Sequence, residues 1–207
     1  MRDIVITPHL ADWPQIFQPQ VQLLCWQRPL PAGVAGYLDS LAASGSLRLG
    51  YRGVLSAGEA PVLAAWPAGA GRQALQDDIA LLADMYATLL GCAQVGWRVE
   101  VLDGSMCPRF HVDRTGIRLV CTWRGPGTEW LAAAAADRRF LGRGSGGLPD
   151  ETSGLMRTAK VGRSVAGDVV LLKGSQWQGN GDGGAIHRSP AVGGQPPRVM
   201  LVLDAMY

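Results

Sequence analysis

CPRFHVDRTGIRLVCTWRGPGTEWL, residues 107–131, is the stretch whose reading decides the fold of this chain. Two short β-rich runs fall here, Met106–Val112, which starts one residue before the stretch, and Ile117–Arg124, closed by the turn residues Gly125, Pro126 and Gly127. His111 and Asp113 stand two positions apart in it. On a strand, residues two apart share one face, so both side chains point the same way and Val112 points into the other layer. The chain has three histidines, His9, His111 and His187. Two imidazoles and a carboxylate are the donor set that binds one face of a six-coordinate metal and leaves the other face open. His111, Asp113 and His187 are therefore predicted metal ligands, suited to Fe(II) or Mn(II) and acceptable to zinc. His187 is expected on a second strand opposite the first, which a barrel of two sheets allows and an isolated hairpin does not.

Arg198 opens the run RVMLVLD, with Met200 and Val202 on its face. A guanidinium at the mouth of a barrel can take a carboxylate bidentately, so Arg198 is a candidate anchor for an acidic co-substrate.

Further short runs, Val95–Leu102, Val169–Lys173 and Val199–Leu203, continue the pattern, and their density suggests a sandwich or barrel. Gly167–Asp168 reads as the turn before VVLLK, and Gly193–Gly194 with Pro196–Pro197 as the turn before RVMLVLD. The first half reads as mixed: a helix over Val34–Ala43, strands at Leu47–Leu55 and Pro61–Trp66, and a helix from about Arg72 to Gly91. In the last of these, Leu75, Ile79, Leu82, Met85 and Leu89 recur at three- and four-residue spacing. The expected organisation is one domain over 1–207, with a supporting mixed part at 1–93 and a β core at 94–207. Leu131–Asp137 is alanine-rich and reads as helical. It opens an insertion at about 131–155, either a lid under which substrate enters or a plain surface connection. GNGDGG at 179–184 lacks the Lys-Ser/Thr and the helix of a phosphate loop and reads as a mobile lead-in to His187.

With 207 residues, 47% hydrophobic and 17% charged, the chain can bury a sizeable core. A net charge of +2 with scattered Lys and Arg argues against a nucleic-acid partner. No apolar run suggests a membrane partner, and the N-terminal MRDIVITPHLADW does not read as a signal peptide, so a cytoplasmic location is expected. Cys25, Cys92, Cys107 and Cys121 show no C-x-x-C spacing and are expected to be reduced and mostly buried.

Around the triad, Arg118 and Trp123 are candidates to line the pocket or simply to pack. Cys107 and Arg109 share the His111 face if the strand is regular, Cys107 as a soft neighbour of the metal or a buried thiol. Trp130 is a pocket candidate. Trp13, Trp26 and Trp66 read as packing, and His9 as a surface residue.

The CPRFHVD and GPGTEWL blocks, together with HRSP at 187–190, resemble the bacterial family of domain of unknown function 1826 over much of the chain, and that resemblance hints at metal homeostasis. More widely, the pattern resembles the Fe(II)/2-oxoglutarate-dependent dioxygenases: H-x-D at His111 and Asp113, a later histidine at His187, an arginine at Arg198, and AGDVVLLKG at 166–174 leading to the second histidine. This resemblance implies an α+β fold with a mainly β core, a double-stranded β-helix (jelly roll, cupin-like) with supporting helices from the N-terminal half. It implies Fe(II) and 2-oxoglutarate as cofactors, with Arg198 holding the C5 carboxylate, and an oxygenase acting on a small molecule or peptide. The chain departs from the R-x-S pattern, having Arg198–Val199–Met200, and offers no tyrosine as second co-substrate anchor, leaving Arg118 or Trp123 for that work. The competing expectation is a non-catalytic zinc- or iron-binding protein of the same fold.

Overall fold

Residues 3–191 and 197–207 are described by a computed structural model. The turn expected at Gly193–Gly194 and Pro196 falls outside them. The chain is mainly β with few helices. Its strands are β1 (Ile4–Thr7), β2 (Leu23–Trp26), β3 (Tyr51–Ser56), β4 (Gln94–Leu102), β5 (Ile117–Arg124), β6 (Glu129–Leu131), β7 (Gly162–Arg163), β8 (Val169–Lys173), β9 (Ile186–Arg188) and β10 (Arg198–Met206). The α-helices are α1 (Val34–Ala43) and α2 (Ala70–Leu90).

A seven-stranded sheet runs in the order β1-β2-β8-β5-β10-β4-β3, and a three-stranded sheet in the order β7-β6-β9. Strands from the first half extend the large sheet at both edges. Among the described residues only β1 and β2 pair in parallel; the other ladders are antiparallel.

Alternation along the central strands divides the interior. On β5, Ile117, Leu119, Cys121 and Trp123 face α1 and α2, joined by Val199, Leu201 and Leu203 of β10. Leu38 and Leu41 of α1 and Leu75, Ile79 and Leu82 of α2 complete that core. The α2 periodicity thus does what the sequence predicted: it presents one apolar stripe to the sheet. The opposite face carries Val120, Val170, Leu172, Met200 and Val202, which pack with Trp130 and Ala185 of the smaller layer. A third cluster of Phe110, Leu131, Leu155 and Ile186 lies beyond it.

Four expectations fail locally. Pro61–Trp66 forms no strand: Leu63 and Trp66 are buried beneath irregular backbone, and Trp66 donates its indole N–H to Leu49 O. Leu47–Leu55 shortens to β3, because Leu47–Gly50 carry no strand pairing. Met106–Val112 is not a strand beyond a single bridge at His111. Leu131–Asp137 ends β6 at Leu131, paired with β9, and then turns through one short 3-10 segment, Ala133–Ala135, before Ala136 bridges Met156.

Lys173, at the end of β8, is only 1% exposed, and its ammonium donates to Gln18 O at 2.9 Å. Burial pushes its pKa down to about 8. Between that value and the ordinary lysine range the unfolded chain binds more protons than the folded one, so stability should rise with pH across that window. The expected gain is up to about 3 kcal/mol from pH 8 to above pH 10. Lys173→Met should flatten that rise, as denaturant unfolding of both proteins at several pH values would reveal; identical slopes would contradict the assignment.

Candidate metal centre

The site forms where β9 meets the loop before β5. His111 and His187 are joined by an isolated antiparallel bridge, each backbone N–H donating to the other's carbonyl at 2.9 Å. His187 therefore lies beside His111, not on a strand opposite it. Their rings stand 4.5 Å apart. The backbone of Asp113 is tied to the loop after β8: its carbonyl accepts from Ser175 N at 2.9 Å and from Ser175 Oγ at 3.3 Å. Gly174 permits that approach, since a Cβ there would lie 2.2 Å from Thr115 O. Gly184 does the same before His187: it has φ +104°, and a Cβ would stand 2.3 Å from Val112 Cγ1.

One donor atom from each of His111, Asp113 and His187 lies within 4.8 Å of the others. His111 Nε2 is 3.5 Å from Asp113 Oδ1, and His187 Nε2 is 3.6 Å from Asp113 Oδ2. Each Nδ1 meets a backbone carbonyl, Arg109 O at 2.9 Å and Ala185 O at 3.0 Å. Donation to those carbonyls fixes the proton on Nδ1 and leaves both Nε2 lone pairs facing the carboxylate, the arrangement that supporting hydrogen bonds give metal-binding imidazoles. The sequence thus brought the three predicted ligands together.

Burial pushes the His187 pKa down to about 4, against the pull of Asp113, which keeps its ring neutral and able to ligate at neutral pH. Burial works to raise the Asp113 carboxyl, but the neighbouring His111 imidazole and the Arg118 guanidinium hold it well below the usual carboxylate range. For His111, the adjacent Asp113 carboxylate outweighs burial and raises its pKa.

Arg198 is 1% exposed. Its Nη2 donates to Thr122 Oγ1 at 3.0 Å and to Thr128 Oγ1 at 3.1 Å. Its Nε and Nη1 have no hydrogen-bond partner among the described residues. Burial lowers its pKa to about 10. A buried guanidinium so poorly compensated is costly, which points to an anion as the missing partner. Thr128 links Arg198 to a cavity of about 240 Å³ that reaches the triad, floored by Val120, Leu172, Met200 and Val202.

Other expectations need correction. Trp123 does not enter this cavity: it lies on the helix-facing side of β5 and donates its indole N–H to Asp78 Oδ2 at 2.7 Å. Arg118 lines the cavity, but its guanidinium is committed. Nη1 donates to Asp113 Oδ2 at 2.7 Å, while Nε and Nη2 clasp Asp204 at 2.8 and 2.9 Å. It braces the Asp113 carboxylate and offers no free fork to another carboxylate. Arg109 turns away to Asp150 at 2.8 Å. Cys107 is exposed and does line the cavity, whereas Cys25, Cys92 and Cys121 are buried as expected. Trp130 packs behind His187 as its register partner and is not among the lining residues. None of the lining residues comes from 131–155. That segment instead supports the site from outside: Asp150 Oδ2 accepts from Phe110 N at 2.7 Å, and Asp150 and Glu151 pair with Arg188, the neighbour of His187.

Thr128 was not singled out from the sequence, although it stands within the GPGTEWL block. Its hydroxyl gains meaning only once β10 puts Arg198 beside it.

The site is a candidate metal centre set in a mainly β fold. The model of a family described as "Protein of unknown function (DUF1826)" matches residues 8–204, and the chain belongs to that family. No curated protein sequence matches it. Among solved structures it is similar to a Pseudomonas putida prolyl-4-hydroxylase, at 16% identity and TM-score 0.45 over 96% of this chain and 95% of that one. It is also similar to dioxygenase for auxin oxidation 1 from Arabidopsis thaliana, solved as a 2-oxoglutarate complex, at 10% identity and TM-score 0.48 over 100% and 92%. Likenesses of that strength carry no chemistry from those proteins to this chain.

Proposed function

We propose that the protein is an Fe(II)- and 2-oxoglutarate-dependent oxygenase acting on a small molecule or peptide. The observation that carries this reading is Arg198, a buried arginine with two nitrogens unpartnered among the described residues, behind the cavity that holds the His111–Asp113–His187 cluster. In this reading the two sheets are the halves of a double-stranded β-helix within a single domain, with residues 1–93 as its support.

The donor set fits the metal: two imidazole nitrogens and one carboxylate on a face that opens into a cavity. Such an iron, with 2-oxoglutarate and O2, supplies oxidative decarboxylation of the co-substrate to succinate and CO2, coupled to insertion of one oxygen atom into a substrate C–H bond. The chain's own residues do the positioning. His111, Asp113 and His187 hold the metal, and Arg118 orients the Asp113 carboxylate. Arg198 takes the distal carboxylate of 2-oxoglutarate, and Thr128 acts as its second anchor, in place of the serine or tyrosine absent here. Val120, Leu172, Met200 and Val202 exclude water from the methylene chain between the two ends.

Anaerobic addition of Fe(II) and then 2-oxoglutarate should produce a visible charge-transfer absorption that requires both. Tight metal binding with no response to 2-oxoglutarate would favour a zinc or iron carrier built on the same ligands. Absence of metal binding would refute both readings.

A further inference from the structure

Arg52 of β3 and Arg98 of β4 are register partners in an antiparallel ladder. They share one face, with Cβ atoms about 5 Å apart, where like charges repel and cost stability. Compensation is thin. Arg98 lies 3.5 Å from Asp204 and 4.0 Å from Glu100, both loose contacts. Asp204 is already clasped by Arg118. Arg52 has no ion-pair partner among the described residues and is exposed.

The position of this pair gives it a use. Arg98 lines the metal cavity and also a second, open groove of about 460 Å³ across β3 and β4. The groove is floored by Gly96 and edged by Val54 and Met206, both well exposed. A substrate whose reacting carbon sits at the metal would run along the apolar row of Val120 and Val202 and end at their row partners Arg98 and Arg52.

We propose that Arg52 and Arg98 form an anion subsite for the primary substrate, which is an organic acid with an apolar body and a terminal carboxylate. This rests on the oxygenase reading for the identity of the reacting end, but not for binding of the acid itself. The carboxylate would lie between the two guanidinium groups and relieve their repulsion. The pair is distinct from Arg198, which lies on the far side of Thr128 and serves the co-substrate.

The test is an NMR titration of the full chain, both metal-free and Zn(II)-loaded, with octanoate, its neutral analogue octanamide, and inorganic phosphate. Arginine side-chain Nε–H signals and the Gly96 amide are followed. Octanoate should bind saturably, shift the Arg52, Arg98 and Gly96 signals, and bind at least tenfold more tightly than octanamide. R52Q/R98Q should lose that preference. The single variants should show a slightly raised melting temperature without ligand, since each removes the repulsion. Equal binding of octanoate and octanamide, or octanoate binding unchanged in R52Q/R98Q, would overturn the proposal. Phosphate competing more strongly than octanoate would replace the carboxylic acid by a phosphorylated ligand and overturn it in the present form. No saturable shift with any probe would also overturn it. None of these outcomes depends on iron, 2-oxoglutarate or turnover, so the subsite and the oxygenase reading fail separately.

Discussion

Asp113→Ala is expected to abolish high-affinity metal binding and any oxygenase turnover while leaving the fold intact. Asp113 supplies the only carboxylate among the three converging donors, and both histidine Nε2 atoms face it at 3.5 and 3.6 Å. Losing a hydrogen bond that merely supports a ligand costs roughly 10–100-fold in metal affinity, so losing the ligand should cost more than about 100-fold. The fold should survive because Arg118 keeps its two contacts to Asp204 and the backbone of residue 113 keeps its bonds to Ser175. Calorimetric titration with Zn(II), beside circular dichroism of the same sample, measures both halves of the expectation. A folded variant that binds metal as tightly as the parent protein would remove Asp113 from the ligand set.

Arg198→Met should separate stability from function in the opposite sense. The parent buries a guanidinium with only Thr122 and Thr128 as partners among the described residues. An apolar side chain of similar length removes that uncompensated charge, so the free protein should become more stable by about 1–3 kcal/mol. The same change should eliminate 2-oxoglutarate binding, measured on the Zn(II)-loaded protein to avoid oxidation, while metal affinity stays the same. Arg198→Lys keeps the charge but not the planar fork and should recover little of the affinity. A variant that is destabilised yet binds 2-oxoglutarate normally would mean that Arg198 is a framework residue whose partner lies elsewhere in the protein.

The site was legible in the sequence to the extent that its chemistry is scarce. With three histidines in the chain, His111 and His187 stand out, and a carboxylate two residues from one of them completes the set. The reasoning from strand alternation reached the right result through a partly wrong structure. His111 is held by one bridge, not by a strand, yet Asp113 still turns to the same side, because Ser175 holds its backbone. Alternation could have excluded Trp123. It stands an odd number of residues from Arg118 on a strand, so both cannot face one cavity, and in the structure they do not. The ladder between β5 and β10 also skips Trp123, passing from Val199–Arg124 to Met200–Thr122. No local sequence signal marks such a bulge. Helices α1 and α2 were legible because their burial is periodic; Pro61–Trp66 was misread because Leu63 and Trp66 are buried without pairing. Arg118 lines the cavity, and the sequence did not show that its guanidinium is held by Asp113 and Asp204, since Asp204 reaches it only through the β5–β10 ladder.

The strand order has a consequence for how the protein comes off the ribosome. β10 follows every other strand in the chain but lies between β4 and β5, pairing with β4 along its whole length. Until residues 198–206 emerge, β4 and β5 each present an unsatisfied edge, and Arg198 has not arrived. The nascent polypeptide can form α2 and the β3–β4 pair that flanks it early, but the large sheet must close late, by a long-range insertion that is intrinsically slow and leaves those edges open to mispairing. The arginine that is costly to bury is therefore also among the last to be buried.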